Sequence, residues 1–186
     1  MESKEISFSC RTRNTISKGK PKVYFTCHPS DFDIYFETIC SDVFSTHDCA
    51  IYYTDDMEAE ISSENNLVDV ERMNLFIVPV TYHLLTEPNR AMDSDLRFAK
   101  IKHIPILPMM FETGIDDLYS ESDKFCDIQY INPNSEDPTE IDYKEKLRKY
   151  LDSVLISDAL ADRIRKAFDA YIFLSYRKKI EHMLMN

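Results

Sequence analysis

Glycine is almost absent from this sequence. Only Gly19 and Gly114 occur among its 186 residues. A glycine-cradled nucleotide site needs several glycines within one short turn, as in the patterns GxGxxG and GxxxxGK[ST]. Neither pattern can be written anywhere in the chain. A nucleotide that binds to this protein must therefore bind without a glycine-rich phosphate loop.

The spacings that disulfide frameworks, metal sites and membrane helices use are also missing. The five cysteines are odd in number and contain no CxxC pair, which favours reduced thiols in a cytoplasmic protein. The five histidines show no HExxH spacing, so we predict no metal site. The longest uncharged run, 73–86, contains Pro79 and is shorter than the roughly 18 to 20 apolar residues of a membrane helix. We therefore predict no membrane span.

Basic residues are in the minority. The chain has 22 Lys and Arg against 33 Asp and Glu, which gives a formal net charge of -11. Nucleic acid phosphates and anionic membranes repel such a chain, so we predict neither as a partner. Between His28 and Glu71 there is no Lys or Arg at all. A solvated acidic surface and a ligand crevice with a negative field are both consistent with this stretch.

Short apolar runs alternate with amphipathic helix patterns from Pro21 onwards. The predicted strands are 22–27, 49–53, 74–80, 103–109 and 129–131. Apolar residues at helical spacing predict a helix capped by Ser30, a helix that begins near Pro88, and a helix over 143–155. This alternation predicts an α/β fold with a doubly wound, mostly parallel five-stranded sheet and helices on both faces. Ligands of such folds bind at the carboxyl ends of the strands.

The order of these elements resembles a TIR (Toll/interleukin-1 receptor) domain. The residues that carry the resemblance are Tyr52-Tyr53-Thr54-Asp55 at the exit of the second strand, the helix segment Asp95-Leu96-Arg97-Phe98-Ala99, and His103-Ile104-Pro105-Ile106-Leu107-Pro108. In that family the second strand leads into the BB loop, and a helix with a Trp-Cys-x-x-Glu-Leu motif precedes a strand that contains proline. The likeness covers 21–156 and is strongest over 74–108. It implies the flavodoxin-like TIR fold.

More narrowly, the chain resembles the N-terminal TIR-like domain of bacterial proteins that carry a second TIR domain. We predict a mobile basic leader over 1–20 and a TIR-like domain over 21–156. The segment 157–186 is then a helix that leads into a truncated start of a second TIR-like domain, because 170–179 resembles a first strand with its polar exit. A single terminal helix over 157–186 is the alternative, since short apolar runs do not separate strand from helix.

The resemblance also implies a chemistry. Many bacterial TIR domains cleave NAD at the nicotinamide ribosyl bond with the glutamate of that motif, and a carboxylate there can stabilise an oxocarbenium-like transition state. The matching residue here is Asp95, with Ala91-Met92 in place of Trp-Cys. Asp95 is thus the implied catalytic carboxylate, with NAD as substrate and no required cofactor. A solvated carboxylate on a helix surface is the alternative interpretation of Asp95.

Further site residues follow from the same resemblance. Side chains that border the nucleotide crevice are implied at Cys27, His28, Tyr53, Arg90 and Arg97. Side chains of the BB loop that assemble with a partner are implied at Asp56, Met57, Glu58 and Ile61. A packed thiol at Cys27 and a crevice-edge imidazole at His28 are expected, because neighbours on a strand point to opposite faces.

Two functional hypotheses remain. In the first, the chain is a catalytically degenerate TIR-like module that senses a signal or assembles with itself or other TIR domains in NAD-linked bacterial antiviral defence signalling. In the second, it is an active NAD+ nucleosidase or cyclase that uses Asp95.

Overall fold

One mixed sheet of five strands forms the centre of the protein. The computed structural model describes residues 8–14, 19–54, 72–134 and 142–155, together with 160, 163, 164 and 166–168. The strands are β1 (Phe8–Thr12), β2 (Lys22–Phe25), β3 (Ala50–Thr54), β4 (Leu75–Val80) and β5 (Ile106–Met110). They lie in the order β1-β3-β2-β4-β5, and β1 pairs antiparallel with β3 while the other pairs are parallel. The predicted α/β class is confirmed, but the sheet has one antiparallel pair.

The strand that completes the sheet is not the predicted one. The run 129–131 contributes only a single bridge between Ile131 and Met109. The fifth strand is instead β1, inside the stretch predicted as a mobile leader, so that prediction is wrong for Phe8–Thr12. An edge strand keeps one side in water and needs no continuous apolar run, so its sequence carries a weak signal. Its anchor is Phe8, whose ring packs edge-on against Tyr24 with centroids 6.0 Å apart.

Helices cover both faces of the sheet, as predicted. The helices are α1 (Phe32–Thr46), α2 (Tyr82–Thr86), α3 (Leu96–Ile101), α4 (Asp116–Glu121) and α5 (Tyr143–Val154). Ile39 of α1 and Leu147 of α5 lie in one buried core with alternate strand residues such as Val23. Leu84 of α2 and Leu96 of α3 lie in the core on the opposite face. A π-turn (Ala91–Asp95) precedes α3 directly.

The order of the parallel strands creates a switch point. Because β3 and β4 lie on opposite sides of β2, the chain leaves β2 and β4 in different directions, and the ligand crevice of doubly wound folds lies between two such carboxyl ends. A short 3-10 turn (Pro29–Asp31) follows β2 and precedes α1. Ser30 lies inside this turn, so the prediction that it caps α1 is wrong. The residue before the turn, His28, accepts a hydrogen bond from the Ser30 amide at its Nδ1, 3.2 Å away.

Some predictions fall outside the residues that the structure describes. These include the assembly residues Asp56, Met57, Glu58 and Ile61, and the proposed second-domain start over 170–179. The described positions between 160 and 168 are helical. In the described part of the chain, no helix has the length and apolar character needed to cross a membrane.

We expect Phe8→Ala to destabilise the protein. The half-buried ring of Phe8 packs on Tyr24, so its loss should lower the free energy of unfolding by about 1 to 3 kcal/mol, less than truncation of a fully buried Phe. Denaturant unfolding measures this change. The matched control is Phe168→Ala, because Phe168 is 65% exposed. Equal stability of the two variants would contradict a packed β1.

Candidate functional site

A buried carboxylate joins the two strand ends at the switch point. Asp31, in the turn after β2, is 1% exposed. Its Oδ2 accepts a hydrogen bond of 2.5 Å from Thr81 Oγ1, and Thr81 directly follows β4. The Thr81 hydroxyl oxygen also accepts from the Leu84 amide, 3.0 Å away, and so caps α2. The first turn of α2 is thereby fixed to the turn that precedes α1.

Two histidines lie over this carboxylate at the mouth of the crevice. The rings of His28 and His83 stack with centroids 5.5 Å apart at an angle of 29°. His28 is buried, and its Nε2 lies 3.4 Å from Glu87 Oε2. His83 is half-exposed, and its Nδ1 lies 3.2 Å from Asp31 Oδ1. The hydrogen bond with Asp31 raises the pKa of His83 above its ordinary value.

These side chains form a group that sequence spacing did not predict. One ligand atom each from His28, Asp31 and His83 can be chosen so that all three lie within 4.8 Å of one another, which is close enough to consider a metal ion. The prediction of no metal site rested on spacing along the chain, whereas this group is assembled from two separate connections. The sequence did contain one indication of this group. All three residues lie in the segments that follow two neighbouring strands of the sheet, where ligands of doubly wound folds bind.

Beneath the histidines, Asp95 forms a buried ion pair with Arg90. Arg90 Nε lies 3.1 Å from Asp95 Oδ1. The other carboxylate oxygen accepts from Thr26 Oγ1 at 2.6 Å and from the Tyr24 hydroxyl at 3.2 Å. Arg90 Nη2 in turn donates to the Tyr24 hydroxyl at 3.2 Å. This network fastens the π-turn to β2.

The π-turn makes the contact between Arg90 and Asp95 geometrically accessible. In an α-helix each residue turns by about 100°, so residues five apart point in clearly different directions. In the π-turn the Leu96 amide bonds to the Ala91 carbonyl, five residues earlier, which widens the turn. The side chains of residues that are five positions apart, such as Arg90 and Asp95, then lie on the same side of the turn. The ion pair and the π-turn are therefore one local feature.

Asp95 is not the solvated helix carboxylate that one interpretation predicted. It is 1% exposed, and burial raises its pKa above the ordinary value, although Arg90, Thr26 and Tyr24 all act in the opposite direction. The Tyr24 pKa is likewise raised, first by burial and then by the charge of Asp95. The group implied as catalytic thus lies in the protein interior with both oxygens bonded. Its catalytic role stays a prediction.

The other predicted crevice residues occupy different environments. Cys27 is buried in the core beside α1, and burial raises its thiol pKa well above the usual range. Tyr53 packs against Phe36, with ring centroids 4.5 Å apart, and so faces the same core. Arg97 is exposed on α3. Of the predicted crevice residues, His28 stacks with His83 beside the two strand ends, and Arg90 is buried against Asp95.

Comparison with known proteins gives no family for this chain. No protein-family model matches it, and no curated protein matches it significantly. Its function must be argued from the site.

Removal of the Asp95 carboxylate should be strongly destabilising. Asp95→Ala removes the carboxylate from a buried ion pair with Arg90, and loss of one member of such a pair lowers the free energy of unfolding by about 3 to 5 kcal/mol. Chemical denaturation of both variants tests this. Asp93→Ala is the control, because Asp93 lies in the same π-turn but is exposed, and should change stability by less than about 0.5 kcal/mol. A similar effect of both substitutions would refute a structural role for Asp95.

Thiol reactivity should separate the cysteines into two groups. Cys10 and Cys126 are exposed, whereas Cys27, Cys40 and Cys49 are buried and free. Burial raises the pKa of both Cys40 and Cys49 to about 12, so little reactive thiolate forms at neutral pH. Ellman's reagent should therefore label two thiols quickly in the folded protein and all five after denaturation. Fast labelling of all five without denaturant would contradict the buried core.

Proposed function

We propose that this chain is a catalytically degenerate TIR-like module that assembles with itself or with other TIR domains in NAD-linked bacterial defence signalling. The observation that carries the proposal is the burial of Asp95, the residue at the motif position, in an ion pair with Arg90. The order of the elements, which resembles that of a TIR domain, supports the family named in this proposal. The burial of Asp95 is the reason for proposing assembly rather than catalysis.

The position of Asp95 favours a structural role over attack on NAD. A carboxylate that stabilises a sugar cation must touch the ribose and keep its negative charge directed there. Asp95 is 1% exposed, and both of its oxygens accept hydrogen bonds from protein groups. To reach a substrate it would have to break its ion pair with the buried Arg90, which is strongly unfavourable.

The charge around the crevice argues in the same direction. Glu87 lies beside His28, and both Glu87 and Glu112 act electrostatically on His83. With Asp31 below them, these carboxylates create a negative field at the mouth, which opposes entry of a pyrophosphate. Arg90, a cation predicted to meet that phosphate, already binds Asp95 and Tyr24.

The helix after the π-turn offers a surface for assembly. Asp93, Arg97 and Ile101 are all exposed and follow one another at intervals of four residues, so they line one side of the helical segment. Ile101 is 63% exposed, which leaves a large apolar side chain in water. A partner that covered this stripe would gain apolar burial at Ile101 and ion pairs at both charged residues.

Incubation of the protein with NAD tests whether it lacks NAD-cleaving activity. We expect no NAD loss above a protein-free blank over hours with the wild type at micromolar concentration, and the same for Asp95→Asn. Asn keeps the size of the side chain, and circular dichroism verifies that the variant is folded. NAD loss with the wild type would contradict the proposal, and its disappearance in folded Asp95→Asn would establish the alternative, an active NAD+ nucleosidase.

Light scattering across a concentration series tests assembly. The average mass of the wild type should rise with concentration, and Ile101→Asp should shift this rise to higher concentration by roughly tenfold or more, because it places a charge at the apolar position of the contact. Ile34→Asp is the matched control, since Ile34 is 61% exposed on α1. A wild type that stays monomeric at all concentrations, or equal effects of both variants, would count against this surface.

A further inference from the structure

We propose that His28, Asp31 and His83 form a binding site for a first-row divalent transition metal ion, with Zn²⁺ as the ion that fits best. This site is independent of the assembly proposed above. It lies at the mouth of the switch-point crevice, whereas the assembly stripe lies on the π-turn and α3.

The donor set is the first reason. Two imidazole nitrogens and one carboxylate oxygen are the three protein ligands of many open zinc sites, in which a water completes the coordination. The three ligand atoms here lie within 4.8 Å of one another. Ligands at zinc bond lengths of about 2.0 to 2.2 Å lie roughly 3.5 Å apart. His83 Nδ1 and Asp31 Oδ1 are already close to that separation, at 3.2 Å, and the His83 side chain is 46% exposed and has room to adjust.

The groups behind the ligands are the second reason. Thr81 holds Asp31 Oδ2, so the other oxygen, Oδ1, is directed to His83. The hydrogen bond from Thr81 is of the kind that orients the ligands of protein metal sites and adds to their affinity. His28 Nδ1 accepts a hydrogen bond from the Ser30 amide, and coordination by the His28 ring would replace that bond. Because Asp31 and His28 are buried and His83 is half-exposed, the site has a rigid floor and an open side through which an ion can enter.

The electrostatic field is the third reason. Glu87 Oε2 lies 3.4 Å from His28 Nε2, and Glu112 accepts a hydrogen bond from the backbone amide of Tyr82, beside His83. These carboxylates attract a cation and repel an anion, so a phosphate is a poor occupant. The two nitrogen ligands favour zinc-like ions over Mg²⁺ and Ca²⁺, which prefer sites made of oxygen.

An ion at this position would connect two parts of the fold. His28 and Asp31 belong to the connection after β2, and His83 belongs to α2 after β4. Coordination would replace the hydrogen bond between His83 and Asp31 and cross-link the two connections at the switch point. Binding to the folded state alone would raise its thermal stability.

Zinc titration of the complete chain without an affinity tag tests the site. After treatment with a chelator and dialysis, calorimetry with Zn²⁺ should show one ion per chain, and Co²⁺ should give the visible absorption of a low-coordinate site. A large excess of Mg²⁺ should not displace Zn²⁺. Absence of zinc binding, or complete displacement by Mg²⁺, would overturn the proposal.

Two variants locate the ion. His83→Ala and Asp31→Asn should each weaken Zn²⁺ affinity by at least about tenfold. The control is His103→Asn, because His103 is exposed and has a φ of 55°, which asparagine tolerates. Zinc should raise the melting temperature of wild type and of His103→Asn but not of His83→Ala.

The exposed position of His83 keeps this test decisive even if Asp31→Asn fails to fold. Zinc affinity that is unchanged in His83→Ala, or reduced equally in His103→Asn, would refute the site. Failure of the metal site would leave the NAD and light-scattering results unaffected, so the two proposals can fail separately.

Discussion

The ion pair between Arg90 and Asp95 determines how the two halves of the crevice meet. Two charges removed from water require each other and further hydrogen bonds, and here Thr26 and Tyr24 supply those bonds from β2. Every buried polar side-chain atom in the described part of the chain has a partner. The helical segment after β4 is thus held against β2 and its exit by a buried network of hydrogen bonds and one ion pair.

The alternation of side chains along β2 extends this network to the surface. Tyr24, Thr26 and His28 occupy every second position from the strand into its exit, and they point to the face that carries α2 and the π-turn. The positions between them, such as Phe25 and Cys27, point into the core with α1 and α5. One strand end therefore supplies the buried floor and the histidine at the mouth, and β4 supplies the opposing wall.

The sequence predicted the parallel part of the fold well. The strands β2 to β5 are continuous apolar runs, because parallel strands are covered on both faces, and each was placed within three residues of its observed ends. The placement of Cys27 in the core also followed from alternation. The edge strand β1 was not predicted because it is only partly buried and has polar residues, Ser9, Arg11 and Thr12, at most of its positions.

The site was less predictable for a geometric reason. Arg90 and Asp95 are five residues apart, a spacing that pairs side chains in a π-turn but not in an α-helix, and no local pattern distinguishes the two. Asp31 looked like one more solvated acid because its partners, Thr81 and His83, lie far along the chain. The sequence identified the segments that follow β2 and β4. It did not identify which of their side chains meet, because that depends on the 3-10 turn after β2 and on the π-turn.

The antiparallel strand β1 also decides what the sheet shows to other chains. Without it, β3 would be the edge, and its run Ala50–Thr54 would present unpaired backbone groups beside Ile51, Tyr52 and Tyr53. Such an edge is a template for strand addition from another molecule and for aggregation. In its place stands a short strand that carries Arg11, which pairs with Glu37 at 2.9 Å. β1 thus covers the backbone of β3 and replaces an apolar edge with a strand that carries a charged side chain.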